Sequence, residues 1–252
     1  PQGNRGGTLN FPIGGMTGNM CCGFYQPSQD LANAFQTSNG LPLLDTYNQS
    51  DIANDAGINS DEAFTPHTGP LDPRIDYTIA RRGIEYNGYG PFTGKENIRA
   101  SFSDISGPYA AKKSMYYAGD DTNKGTGGWG EQRSGINYHI IRYADVLLMA
   151  AEAAVESGSL ETARGYVNQV RQRAVDTPRA DSSPNYSIST YDSAWTDQAV
   201  ARKAVRFERR LELGMEGGRL FDLRRWNVME ATLNAYIANE GRTIPTFQSR
   251  AS

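Results

Sequence analysis

The chain carries few of the side chains that redox, metal or hydrolytic chemistry requires. Its two cysteines are adjacent, Cys21 and Cys22, and its two histidines, His67 and His139, lie far from them. A structural zinc site needs four ligands at recurrent short spacings. Neighbouring cysteines also rarely reach the geometry of an unstrained disulfide, so neither a metal nor a staple of the fold to itself is expected, and pairing with something outside these residues stays open. Glycine pairs punctuate the start at Gly6-Gly7 and Gly14-Gly15. They fit neither G-x-G-x-x-G after a strand nor a P-loop with its Lys and Ser/Thr, so no nucleotide cofactor is expected and the stretch reads as a surface loop. Carboxylates abound, yet no Ser/His/Asp, Cys/His or H-E-x-x-H arrangement singles any out. Glu152 lies among small apolar residues, where a buried carboxylate is an acid candidate if a cleft and a partner accompany it. Arg142 or a member of the Arg206–Arg210 cluster is expected to neutralise it instead. The reading is a non-enzyme with no catalytic residue and no cofactor.

What remains is binding chemistry, and aromatic rings carry it. Residues 81–135 hold Tyr86, Tyr89, Phe92, Tyr109, Tyr116, Tyr117 and Trp129 among glycines and charges, and Phe24 and Tyr25 stand in a polar setting earlier in the chain. An aromatic face stacks on the C–H face of a sugar and loses little rotamer entropy on binding. Most such rings fill small cores beneath long loops. Trp129, with Gly127-Gly128 before it and Gly130 after it, has few local neighbours to bury it. Trp129, Tyr89, Phe24 and Tyr25 are therefore the candidate ligand-binding residues. A net charge of −3 argues against nucleic acid or anionic lipid as the partner and favours neutral or cationic ones.

The elements that must position these rings are mainly helical and come late in the chain. Val200, Ala204, Phe207 and Leu211 mark one face of an amphipathic helix, with Asp197 to cap its start and Gly214 to stop it with a left-handed turn. Gly217-Gly218 then permit a reversal into a short helix containing Leu220, Leu223 and Trp226, or Phe221. Arginines and carboxylates alternate through this corner, which predicts ion pairs along each helix rather than an unopposed basic surface. Upstream, Ile140, Tyr143, Ala144, Leu147, Leu148, Ala151, Ala154 and Val155 recur at helical steps until Gly158, and a second helix runs through Leu160, Ala163, Val167, Val170 and Ala174. Together they look like one tetratricopeptide-type hairpin. The longest apolar run, Ala144 to Val155, is too short to span a bilayer. Residues 179–198 are a polar insertion, and Leu233, Tyr236 and Ile237 extend one more helix after Trp226. Ser28 caps a short helix carrying Leu31, Ala34 and Phe35, and Ile75 to Ile79 read as a short strand. The fold class is thus mainly α, a tetratricopeptide-like helical layer over residues 136–252 with an irregular, loop-rich, ligand-facing part over residues 1–135 of the same domain.

Several strings give these elements a family. Glu208-Arg209-Arg210-Leu211-Glu212-Leu213, Glu216-Gly217-Gly218-Arg219 and Phe221-Asp222-Leu223-Arg224-Arg225-Trp226 resemble, in order and spacing, the signature near the end of SusD/RagB-type proteins. Ile141-Arg142-Tyr143-Ala144-Asp145-Val146-Leu147-Leu148-Met149-Ala150-Ala151-Glu152-Ala153 and Asp72-Pro73-Arg74 are similar to further family strings. The resemblance implies a structural role for Arg74. It also implies non-catalytic capture of a nutrient, most often an oligosaccharide, on the extracellular face of the Bacteroidota outer membrane, with delivery to a SusC-like TonB-dependent transporter. The membrane would be reached through a lipid anchor outside this segment, since family members carry a lipidated cysteine and helices before residue 1 and a tail after residue 252. Some relatives take peptides, and a helical scaffold binding a protein partner is the further alternative.

Overall fold

Ser28 opens the first helix, α1 (Gln29–Asn33), where its hydroxyl accepts the Leu31 N–H at 3.2 Å. The computed structural model describes residues 15–17, 23–98, 108–124 and 134–243, so Trp129, Cys21 and Cys22 lie outside the described residues. Strands β1 (Thr37–Ser38) and β2 (Leu41–Pro42) pair antiparallel across Asn39 and Gly40, whose φ values of 50° and 80° suit a tight hairpin. A Cβ on Gly40 would meet the Ser189 backbone at 2.7 Å, so this turn is also where the 187–189 segment crosses.

The stretch expected as a strand from Ile75 is instead one helical turn, α2 (Ile75–Thr78), leading into β3 (Ile79–Ala80), which pairs antiparallel with β4 (Ala110–Ala111). The reason is local. Asp72 accepts the Arg74 N–H at 3.0 Å, and the Thr78 hydroxyl donates back to the Arg74 carbonyl at 2.8 Å, so side chains stabilise a turn that alternation alone does not reveal.

The later helices are α3 (Tyr143–Glu156), α4 (Leu160–Asp176), α5 (Gln198–Glu212), α6 (Arg219–Arg225) and α7 (Met229–Thr243). Gly158, at φ 80°, lets α4 fold back along α3. Asp197 caps α5 as expected, accepting from Ala199 and Val200 at 2.7 and 3.0 Å. The expected α5 face needs correction at its start: Val200 is 54% exposed, and Ala201 and Val205 turn inward in its place. Likewise Ile140 and Tyr143 stay outside, because α3 begins only at Tyr143.

Two apolar cores meet on α5. Phe207 and Leu211 join Phe35, Ile52, Leu71, Ile75, Ile79 and Tyr109. Ala201 and Val205 join Leu148, Ala151, Val155, Ala163, Val167 and Val170 of the α3–α4 hairpin. Tyr86, Phe92, Ile98 and Ala110 form a smaller core, and Ala111, Met115 and Tyr116 another. Four of the aromatic residues between 81 and 135, namely Tyr86, Phe92, Tyr109 and Tyr116, are thus structural rings.

Between the main cores runs a buried charge network. Fully buried Glu208 accepts from Arg74 Nη1 at 2.5 Å and from Arg171 Nη1 at 2.8 Å. Glu212 accepts from Arg74, Arg142 and Arg173, while Arg209 bridges Asp145 and Asp222. Arg74 is structural, clasped by both oxygens of Asp72 as well. Burial drives the Glu212 carboxyl up, but Arg74, Arg142 and Arg173 outweigh it and hold the group below the usual range. These pairs cross between elements rather than running along one helix, and Asp222–Arg225 is the one in the corner that keeps helical spacing. The α5 carboxylates face inward, where the nearest guanidinium belongs to another element.

Candidate ligand-binding surface

Residues 213–218 join α5 to α6, and exposed aromatic residues lie beside them. Gly214 is not the left-handed residue expected there; Met215 at φ 63° and Gly217 at φ 83° make the turn. Gly214 instead permits close packing, since a Cβ would lie 3.1 Å from the Arg210 carbonyl and 3.5 Å from both Leu31 and Thr78. The corner is tied down by Glu216, which accepts from Lys113 Nζ at 2.6 Å and Arg142 Nε at 2.8 Å. The Tyr138 hydroxyl donates to the Glu216 carbonyl at 3.2 Å, and the Tyr25 phenol lies close to the Gly217 backbone. Burial, with the nearby Tyr138 and Glu216, raises the Tyr25 phenol above its ordinary value despite the opposing effect of that backbone.

Three rings here face outward. Phe24, Tyr25 and Tyr138 are 39%, 49% and 72% exposed. Tyr25 adopts φ 58°, a conformation rare outside glycine. Tyr89, the other candidate among the described residues, is half-buried: it leans on Tyr86 with ring centres 6.1 Å apart and packs against the small core of Ala111, Met115 and Tyr116, as Met215 also does. Met215 also lines the cleft that Tyr25 lines. Tyr138 was not among the sequence candidates. Its signal is faint, because no periodicity surrounds it and only the fold brings it to Glu216.

Two clefts open beside the corner. One, of about 270 Å³, has Tyr25, Leu31, Leu213, Met215, Leu233 and Tyr236 as its less polar lining. At its edge Glu240 accepts the Asp30 N–H at 2.8 Å, and burial pushes the Glu240 carboxyl up to about 7, helped by Asp30 and Asp51 and opposed by that bond and Arg210. The other, of about 320 Å³, runs past Tyr77, Lys113, Arg142, Arg173 and Arg179. Its cations are largely committed to Glu212 and Glu216. Glu152, the carboxylate with an acid–base look, is paired with neither Arg142 nor Arg206–Arg210. It accepts from Arg225 and from Trp226 Nε1, the latter at 2.8 Å. Among the described residues no group of three or more His, Cys, Asp or Glu side chains is placed to hold a metal ion, and no helix is long and apolar enough to cross a membrane. The surface can stack and hydrogen-bond a ligand.

Placed on this fold, the corner strings coincide with a family-wide pattern: the sequence profile of the SusD family matches residues 2–250. The chain belongs to the SusD family. Its SusD-like relatives include two proteins of Formosa agariphila. SusD-like protein P2 is 33% identical over 153 residues, which is 60% of this chain and 26% of that protein. SusD-like protein P25 is 36% identical over 93 residues, 37% of this chain and 16% of that protein. A SusD superfamily protein from Bacteroides vulgatus, solved as a crystal structure, superposes with a TM-score of 0.57 at 25% identity, covering 96% of this chain and 41% of its own. The chain therefore spans well under half the length of these SusD-like proteins, and its tetratricopeptide-like helical layer is that of the family.

Proposed function

We propose that this chain is the corner-bearing part of a non-catalytic nutrient-capture protein on the outer membrane surface, which binds an oligosaccharide and passes it to a SusC-like TonB-dependent transporter. Membership of the SusD family supports capture in general. The observation that carries the placement is the outward pair Phe24 and Tyr25, set beside the corner at Gly217 and flanked by Tyr138. Rings that rest against a packed corner, Tyr138 through its bond to the Glu216 carbonyl, are preorganised, so stacking a sugar there orders little that is not already ordered. In this proposal Tyr89 and Trp129 supply further ligand contacts. No bond is broken; a lipid anchor outside these residues holds the protein at the membrane.

A peptide ligand or a protein partner is the second reading. The observation favouring a protein partner is the apolar stripe at the start of α3, where Ile140, Ile141 and Tyr143 are 87%, 64% and 72% exposed.

The experiment is affinity electrophoresis and calorimetry of the full-length protein against neutral polysaccharides and peptides, with Tyr25→Ala, Tyr138→Ala and Trp129→Ala. Loss of one stacking ring should weaken glycan binding by about 1 kcal/mol or more. Glycan binding indifferent to all three substitutions moves the site elsewhere, and tight transporter association without any ligand makes the protein a scaffold.

A further inference from the structure

A third cleft, about 560 Å³, lies between α5, α6 and α7, and its charges do not balance. Arg202, Lys203, Arg206, Arg210 and Arg219 line it against Asp30 and Asp45. Asp30 is taken by Arg210, and Asp45 by Lys203 at 2.5 Å; Arg202 turns to Glu156 at 2.6 Å. Arg206 and Arg219 are left over. Neither has a carboxylate within ion-pair distance among the described residues, and Arg206 Nε is buried with no hydrogen-bond partner.

What these two guanidiniums do have is a shared ring. Arg206 and Arg219 sit 4.8 and 5.8 Å from the centre of the Trp226 indole, and Arg225 a further 5.5 Å from it. Arg225 is neutralised by Glu152 and Asp222. An indole face attracts a cation but offers it no acceptor for its N–H groups, and three like charges around one ring repel. Burial lowers the Arg206 guanidinium, with Arg202 and Arg225 adding to the effect and Glu152 and Glu156 opposing it. It takes Arg219 further, down to about 10, with Arg210 adding to the effect and the more distant Asp222, Tyr47 and Asp30 opposing it. Ala231, Thr232 and Ala235 of α7 form a small, uncharged wall opposite, which leaves room and brings no counter-charge.

We propose that this cleft is an oxyanion-binding site which takes the carboxylate or sulfate substituent of a saccharide, with Arg206 and Arg219 as its unpaired donors. A compact oxyanion supplies what both side chains lack, a carboxylate-like partner in direct contact with several acceptor lone pairs. The saccharide as carrier rests on the capture reading above; the anion site does not.

The test therefore begins with the anion alone. Sodium sulfate is titrated into the full-length protein at constant ionic strength with chloride as the balancing salt, followed by calorimetry and by the shift in thermal midpoint that a ligand of the folded state produces. Saturable sulfate binding that weakens tenfold or more in both Arg206→Gln and Arg219→Gln is expected, with Arg202→Gln, whose partner is Glu156, unchanged within twofold. Arg206 and Arg219 are both half-buried and sit on different helices, so either variant keeps the test usable if the other fails to fold. No saturable sulfate binding, or binding indifferent to both substitutions, overturns the site. Glucuronate or a sulfated disaccharide should then bind at least tenfold more tightly than its neutral counterpart, and equal binding overturns the saccharide assignment. Neutral glycan capture without sulfate binding leaves the capture reading standing and removes this one, whereas sulfate binding with no saccharide bound does the reverse for the anion site.

Discussion

Glu208 shows how much of this structure hangs on single buried charges. It is fully buried and is the carboxylate partner of both Arg74 and Arg171. Arg74 retains Asp72 and Glu212 if Glu208 is neutralised, but Arg171, itself fully buried, would keep only the carbonyls of Ser189 and Gly40. Removing one member of a buried pair leaves an uncompensated ion and costs about 3–5 kcal/mol. Glu208→Gln, which preserves shape, should therefore lower stability in urea by about that amount. The same change at exposed Glu156 should have a far smaller effect, because solvent screens its pair with Arg202. A Glu208→Gln protein as stable as the parent would mean that the network contributes specificity rather than stability.

At the scale of the element, α5 decides the architecture. Its two faces belong to two cores, and its end leads into the corner that Tyr25 and Tyr138 flank. Fraying its start should loosen the α3–α4 hairpin before the other core. The Asp197 cap closes two otherwise orphan N–H groups, and Asp197→Ala should cost ~1 kcal/mol. Hydrogen exchange should then rise first at Ala199–Ala201; uniform acceleration across α5 would argue that the helix opens as one unit. Much of this element was legible beforehand, since cap and period are local properties. Its inward face was not fully legible: Val200 and Ala201 are adjacent, and which of them turns inward depends on where α3 and α4 lie. The Asn39-Gly40 hairpin, by contrast, carried a strong local signal that helical periodicity does not detect.

For the whole molecule, stability should respond to pH in two opposite ways. Glu212 and Glu216 have carboxyls held below the usual range, against burial, by Arg74 and Arg142 in the first case and Arg142 and Lys113 in the second. Their contribution is present above about pH 4.5 and is lost as pH falls through the folded values. Glu240 works the other way. Its folded value, raised from 4.5 to about 7 by burial between Asp30, Asp51 and Tyr236, means that its contribution is complete below pH 4.5 and is lost as pH rises through 7. Stability should therefore decline between about pH 4.5 and pH 7, by roughly 2–3 kcal/mol from this group. Glu240→Gln should flatten that limb and leave the acid limb unchanged, as thermal unfolding across pH would show. Parallel profiles for the two proteins would remove Glu240 as the cause.

By itself the sequence determined the longer helices, the Ser28 and Asp197 caps, the α3–α4 hairpin and the family, because helical period, capping chemistry and ordered motifs are properties of neighbouring residues. It also placed Phe24 and Tyr25 among residues able to meet a ligand, on aromatic character alone. Only the tertiary structure decided that Arg74 and Arg171 close on Glu208, that Glu152 serves Arg225 and Trp226, that Tyr138 joins Tyr25 at the corner, and that Arg206 and Arg219 are left without a carboxylate. Each of these depends on partners about 30 to 190 residues away in sequence, and a charge or a ring at one position carries no local record of which distant element will be packed against it.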